Sequence, residues 1–225
     1  MLKKLGITVA IAIALVFVVV ASRPDTVTVT RSATIDAPAD ITYGLVADFH
    51  GWAQWSPWEA LDPGMKKTFG GTMGTVGSTY GWVGNDQVGE GRMTIVDAKP
   101  AQQVDIKLEF IKPFASTSQT LISFQEAGGK TTVKWTMISP MNFFTKAMCL
   151  VKSMDDMVGP DFEKGLAKLG TAAVAEQARR VQEAAVAAAK AAEAAAKQAA
   201  EAAAKKAADE AAAAAAATPA ATPKK

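Results

Sequence analysis

The chain has 225 residues, with 24 basic and 22 acidic side chains, one cysteine and one histidine. By segment, residues 1–24 carry three basic and no acidic side chains, 25–170 carry 13 and 16, and 171–225 carry eight and six. No segment has the single-sign field that nucleic-acid binding needs. A lone Cys149 forbids an internal disulfide or a thiolate cage, and a lone His50 leaves no imidazole pair for zinc or non-haem iron, so neither a metal nor a cofactor is expected.

Residues 5–21 form an uncharged run rich in Ile, Val and Leu, preceded by Lys3 and Lys4 and followed by Arg23. Seventeen residues are short for a 30 Å hydrocarbon layer but longer than the apolar part of most cleavable signals. The reading is a signal-anchor over residues 1–24; cleavage after Ala21 is the alternative. The excess of positive charge before the run keeps the N-terminus cytoplasmic, which makes this a single-pass protein of the cytoplasmic membrane with residues 25–225 on the outer side.

Residues 25–170 have the length of one ordinary domain. In 26–35, Val27, Val29, Ala33 and Ile35 alternate with Thr and Ser, as in a half-buried strand. Asp36 to Asp40 supplies helix-start residues, and Ile41, Leu45 and Val46 recur at helical spacing to about Asp48. Trp52, Trp55 and Trp58 then follow three residues apart, with Ser56-Pro57 redirecting the chain. Each tryptophan buries about 150–250 Å², so three in one short segment cap a core or wall a pocket.

From Met65 to Ile138 all signals are strand and turn, and six antiparallel strands are expected, with turns at Lys112-Pro113 and Gly128-Gly129. Nine glycines between Gly64 and Gly91 let such a sheet bend sharply. After Pro140 the period becomes helical. Phe144, Met148, Val151, Met154, Val158, Phe162, Leu166 and Leu169 recur every three or four residues, which predicts one long helix that Gly159-Pro160 should kink or break.

Residues 171–217 contain 28 alanines and two Glu-Ala-Ala-Ala-Lys units, at 193–197 and 201–205. They read as a solvated helical spacer of about 70 Å, with an alanine-seamed coiled coil as the alternative. Residues 218–225 read as a disordered basic end suited to contact with cell-envelope polymers.

The segments 49–58, 77–82, 89–93, 108–114 and 161–166 resemble the SRPBCC superfamily, in the branch described as polyketide cyclase/dehydrase and lipid transport, with a START-like helix-grip fold. The resemblance covers about residues 26–170. It implies an α+β domain in which a curved antiparallel sheet wraps a long C-terminal helix, flanked here by the N-terminal transmembrane helix and the Ala-rich helix. It also implies a cavity for a hydrophobic small molecule or lipid, without a catalytic motif transferable residue by residue.

The apolar faces put Tyr80, Trp82, Met93, Ile95, Leu108, Phe110, Trp135 and Met137 of the sheet toward that cavity, with Phe144, Met148, Val151 and Met154 of the helix opposite and Trp52, Trp55 and Trp58 closing one end. Ordinary core packing is the competing reading for each of them. Among polar residues, Asp48, His50 and Ser56 are too close in sequence to be read as a triad. Asp155 and Asp156 point about 100° apart on a helix and would not share a proton. Glu90, Arg92, Asp105 and Glu109 alternate outward, and an inward turn of Glu90 or Arg92 would make it the polar anchor. The glycines of 71–77 fit neither nucleotide-binding loop and read as turns. Binding of a hydrophobic ligand or lipid by a membrane-anchored module is thus the first functional reading. A cyclase or dehydrase using an inward carboxylate is the second, and an envelope protein with a filled core the third.

Overall fold

The computed structural model describes residues 2–216; the basic end lies outside the described residues. Helix α1 (Leu2–Ala21) is followed by strand β1 (Thr26–Ile35), helices α2 (Ala39–Ala47) and α3 (Trp52–Trp55), six strands, helix α4 (Phe143–Met148) and helix α5 (Met154–Ala216). The strands β2 (Lys66–Gly70), β3 (Thr79–Val83), β4 (Glu90–Lys99), β5 (Gln103–Lys112), β6 (Ser116–Ala127) and β7 (Lys130–Pro140) join β1 in one antiparallel sheet of order β1-β7-β6-β5-β4-β3-β2. This is the helix-grip α+β fold: the chain returns its last strand beside its first, and α5 then crosses the concave face.

Alternation decides which face is concave. Val104 and Ile106 of β5, Ile122 and Phe124 of β6, and Val133 and Trp135 of β7 are buried, while intervening residues such as Lys107, Gln125 and Lys134 are exposed. Phe162, Leu166 and Leu169 of α5 complete the same core. The sheet bends where β4 slips register against β5, between Glu90 and Gly91 and between Ile95 and Asp97. Gly165 lets α5 lie close to the sheet, because a Cβ there would stand 2.9 Å from the Trp135 ring.

Helix α2 begins at Pro38, whose side chain offers no acceptor; the carboxylate of Glu126 on β6 accepts from the Ala39 amide at 2.8 Å instead. The cap expected from Asp36 to Asp40 thus comes from 87 residues away in the chain. The turns at Lys112-Pro113 and at Gly128 and Gly129 are where the sequence places them, the first through a cis peptide bond and the second through two glycines at φ 59° and 76°.

The helical run after Pro140 is divided differently from the sequence expectation. It breaks between Met148 and Met154, and α5 continues through Pro160. Ser153 accounts for the new start: its Oγ accepts from the Asp156 amide at 3.1 Å and donates to the Asp156 carboxylate at 2.6 Å. Arg31 of β1 accounts for the continuity, since its guanidinium binds Asp155 at 2.8 and 2.9 Å and Glu163 at 2.6 Å, on either side of the proline. The same guanidinium occupies the space that a side chain at Gly159 would need. Asp155 and Asp156 go to different partners, as their angular separation requires. Cys149 is half-buried at the C-terminal cap of α4.

Residues 2–177 form one compact unit and residues 178–216 belong to a second. The second is helical as far as Ala216, with the side chains of residues 178–213 exposed and Arg179 paired with Glu183 one turn on at 2.6 Å.

Candidate functional site: an apolar cavity under the helix

Between the concave sheet and α5 lies a cavity of about 260 Å³. Its walls come from every layer of the domain: Trp52 and Trp58 from the tryptophan segment, Tyr80 and Trp82 from β3, Met93 from β4, Leu108 and Phe110 from β5, Trp135 and Met137 from β7. These are nine of the residues that the sequence points toward a cavity. An engineered 150 Å³ apolar cavity holds benzene, so this space suits a two-ring compound or a short acyl chain. A second depression of about 440 Å³ involves Val96, Lys107, Gln119 and Ile138, lies largely on the outward face of the strands, and lacks aromatic walls.

Six residues expected at the cavity lie elsewhere. Trp55 is fully buried; its indole NH donates to the Leu45 carbonyl at 3.0 Å and its ring meets Trp135 edge-on, so it plugs the core. Met154 packs against the core without lining the cavity. Phe144 and Met148 fall on α4, outside the grip, and are exposed, as is Val151 in the connection to α5. Ile95 is buried in the sheet without reaching the cavity. The apolar repeat marks these positions correctly as apolar, but the break at 149–153 moves the first part of the repeat away from the sheet.

The deep wall is aromatic. Trp135 lies flat on Phe162, with ring centroids 4.2 Å apart and planes at 7°, and receives Trp52, Trp55 and Trp58 edge-on at 5.5 to 6.4 Å. Trp52 is held by its NH donating to the Val46 carbonyl at 2.8 Å, Trp82 by its NH donating to the Val88 carbonyl at 3.0 Å. Gly91 makes room for Trp82, because a Cβ there would lie 2.3 Å from the indole ring.

Two polar features stand out in the lining. At one, the Tyr80 hydroxyl donates to Glu59 at 2.8 Å, and the other Glu59 oxygen pairs with Lys67. Burial, reinforced by the adjacent carboxylate, pushes the Tyr80 pKa far above its usual value and keeps the phenol protonated. At the other, the hydroxyl of Thr120 and the indole NH of Trp135 are buried with no hydrogen-bond partner among the described residues, in side chains only 3% and 2% exposed. Buried polar atoms are nearly always partnered, so this pair is chemically unusual.

Sequence reasoning missed Ser56, Glu59, Met65, Gln87, Val88 and Thr120 as lining residues, together with Val158 and Phe162, which it placed in the helix stripe but not at the cavity. For Thr120 the signal was present: it shares the inward phase of Ile122 and Phe124. For Glu59 there was none, because it sits in a 3-10 turn with no periodicity to orient it. The inward carboxylate is therefore Glu59. Glu90 and Arg92 are engaged with Lys112 and Glu109 respectively, the latter pair on the outer face at 3.0 Å. His50 contacts Asp48 at 2.9 Å on the surface and packs on Phe69, away from Ser56 in the cavity wall.

The model of the polyketide cyclase/dehydrase and lipid transport family matches residues 26–176. The chain belongs to this family. Among solved structures with the fold are the di-domain ARO/CYC BexL from the BE-7585A biosynthetic pathway (16% identity, TM-score 0.51, 69% of this chain and 52% of that one) and the di-domain ARO/CYC StfQ from the steffimycin pathway (9%, 0.50, 68% and 52%). Protein CV1439 from Chromobacterium violaceum is similar over 67% of this chain and 98% of its own, at 13% identity and TM-score 0.46. A search of curated proteins gave no match. At these identities the likenesses to BexL and StfQ speak for the helix-grip fold alone. One helix among the described residues, Lys4–Ala21, is long and apolar enough to cross a membrane.

Proposed function

We propose that this family member is a membrane-anchored module that binds a small hydrophobic molecule or the short acyl part of a lipid beneath α5. The observation that carries the reading is the 260 Å³ aromatic cavity, lined in part by Thr120 and Trp135, whose buried hydroxyl and indole NH have no partner among the described residues. Its apolar lining favours a ligand that is mostly hydrocarbon or aromatic. The Thr120 hydroxyl and the Trp135 indole NH lie just behind this lining, each with a proton to give; a small side-chain rotation would present them to an acceptor oxygen of the ligand, such as a carbonyl or ether, set against the β6–β7 floor. Trp52, Trp58, Tyr80, Trp82, Met93, Leu108, Phe110, Trp135 and Met137 are the ligand-binding residues in this reading, and the methionines adapt the wall to ligand shape. The apolar α1 holds the domain at the bilayer, and Lys3 and Lys4 ahead of it favour residues 25–225 on the extracytoplasmic side.

The test is mass spectrometry of organic extracts from the purified full chain. The expected result is one small apolar compound in near-stoichiometric amount, lost from a Leu108→Trp variant whose added ring fills the cavity. Repeated empty extracts from a chain expressed in its own host would overturn the reading and favour a domain with a structural role.

A cyclase- or dehydrase-like activity is the second reading, favoured by one observation: Glu59 and Tyr80 bring a carboxylate and a protonated phenol to the same wall. Once the bound compound is known, turnover that is lost in Glu59→Gln while binding persists would support it; unchanged compound after prolonged incubation would exclude it.

A further inference from the structure

We propose that α4 and the β5–β6 turn form a bilayer-docking surface, seated at acyl-chain depth beside α1. This inference rests on the membrane-spanning reading of α1 and adds a second contact to it. The surface consists of Phe114 in the turn, Phe143, Phe144 and Met148 on α4, and Val151 just after it. Phe114, Phe144 and Val151 are 72%, 64% and 93% exposed, an unusual cost in water for three large apolar side chains in one neighbourhood. The Phe114 and Phe144 rings are 6.2 Å apart, which joins the turn to the helix.

What covers this face follows from where it is attached. The Phe143 ring stands 4.8 Å from that of Phe17 in α1. Lys146 of α4, itself buried, pairs with Asp25 at 2.6 Å, and the Met141 amide donates to the Asp25 carbonyl at 2.8 Å, so α4 is pinned to the chain just beyond the end of α1. The uncharged run of 17 residues is about 26 Å long at 1.5 Å per residue, short of the roughly 30 Å hydrocarbon layer. No turn of it is left over to stand in water. Phe17 lies four residues, or about 6 Å, beneath Ala21, and a ring in contact with Phe17 shares its depth. That depth is the 5–10 Å at which interfacial helices bury their apolar faces. A bilayer is thus the occupant that the attachment dictates. Phe110 in the cavity wall is four residues from Phe114, at most about 14 Å along the chain, so the docked face lies close to the cavity and gives an apolar ligand a short route out of the lipid.

The sole cysteine makes the test direct. The full chain, labelled at Cys149 with the environment-sensitive fluorophore NBD, is reconstituted into phosphatidylcholine–phosphatidylglycerol vesicles containing a lipid with a nitroxide at acyl carbon 5. A Cys149→Ser, Val151→Cys variant provides a second, fully exposed position, and Cys149→Ser, Lys130→Cys a control at the opposite end of β7, about 33 Å along the strand from Pro140. Flotation after a carbonate wash reports the α1 anchor separately. The expected result is strong quenching at 149 and 151, none at 130, and loss of the quenching in Phe114→Glu, Phe144→Glu chains that still float. Unquenched probes at 149 and 151 in a floating chain would overturn the docking surface while leaving the anchor intact. Blue-shifted but unquenched emission would assign the face to a second copy or another protein, and overturn it equally. A chain that fails to float removes the anchor and the docking surface together.

Discussion

Replacing Thr120 by valine tests the site at its most unusual atom. The side chain is 3% exposed, and its hydroxyl has no partner among the described residues. Valine keeps the branched shape that strands favour and exchanges the hydroxyl for a methyl. An unsatisfied buried hydroxyl costs about 1–3 kcal/mol in proteins, so the ligand-free Thr120→Val chain should be more stable by about that amount. For a domain of this size each kcal/mol moves Tm by about 2–4 °C, giving an expected rise of roughly 2–12 °C. Thermal unfolding of the full chain in detergent, followed by the fluorescence of the buried tryptophans, reads this directly. The ligand should respond in the opposite sense. Losing one neutral hydrogen bond of about 0.5–1.5 kcal/mol weakens its binding about two- to tenfold. A lower Tm for the empty variant would show that the hydroxyl already has a partner, and would refute the assignment of Thr120 as a ligand contact.

Three further outcomes follow from the packing and the charges. Gly91→Ala places a methyl 2.3 Å from Trp82 and 2.6 Å from the Glu109 carbonyl oxygen; overpacking of this kind costs about 1–3 kcal/mol, seen as a lower Tm together with altered fluorescence from the displaced Trp82. Glu126→Ala removes the acceptor for the Ala39 amide and should cost about 0.5–2 kcal/mol, the usual range for a lost cap, with hydrogen exchange accelerating first at the start of α2. Arg31 holds the Asp155 carboxyl below its ordinary 3.8 through hydrogen bonds. A lowered folded pKa contributes stability above the unfolded value that is lost as pH falls through the folded one, so the first turns of α5 should loosen on acidification below about pH 3.8. In Arg31→Ala, urea midpoints should lose this part of their acid dependence; an unchanged acid limb would exclude the Arg31 clamp as its source.

Much of the fold is visible in local pattern because the backbone periods are local. Alternation in 26–35 and across β4 to β7 requires one buried face, and the glycines and Lys112-Pro113 mark turns that other residues would strain. The cavity lining on the sheet follows from the same parity, which is why Tyr80, Trp82, Met93, Leu108, Phe110, Trp135 and Met137 are found together. The helix side did not follow. Phe144 and Met148 keep the phase of Phe162 and Leu166 across a break, and an apolar repeat carries no information about which apolar medium it faces. Ser153 with Asp156 three residues later was the local sign of a new helix.

By itself the sequence determines the apolar N-terminal helix, the strand faces, the turns and the alanine-rich helix, since each depends on neighbours within a few residues. Tertiary structure alone decides that Glu126 caps α2, that Arg31 carries α5 through Pro160, that Trp55 plugs while Trp52 and Trp58 line, and that Glu59 is the inward carboxylate. These depend on groups that lie up to 132 residues apart in the chain, as Arg31 and Glu163 do, and come together only when the sheet closes on the helix. The orphaned Thr120 and Trp135 belong to the same class: whether a polar atom lacks a partner is a property of everything packed around it.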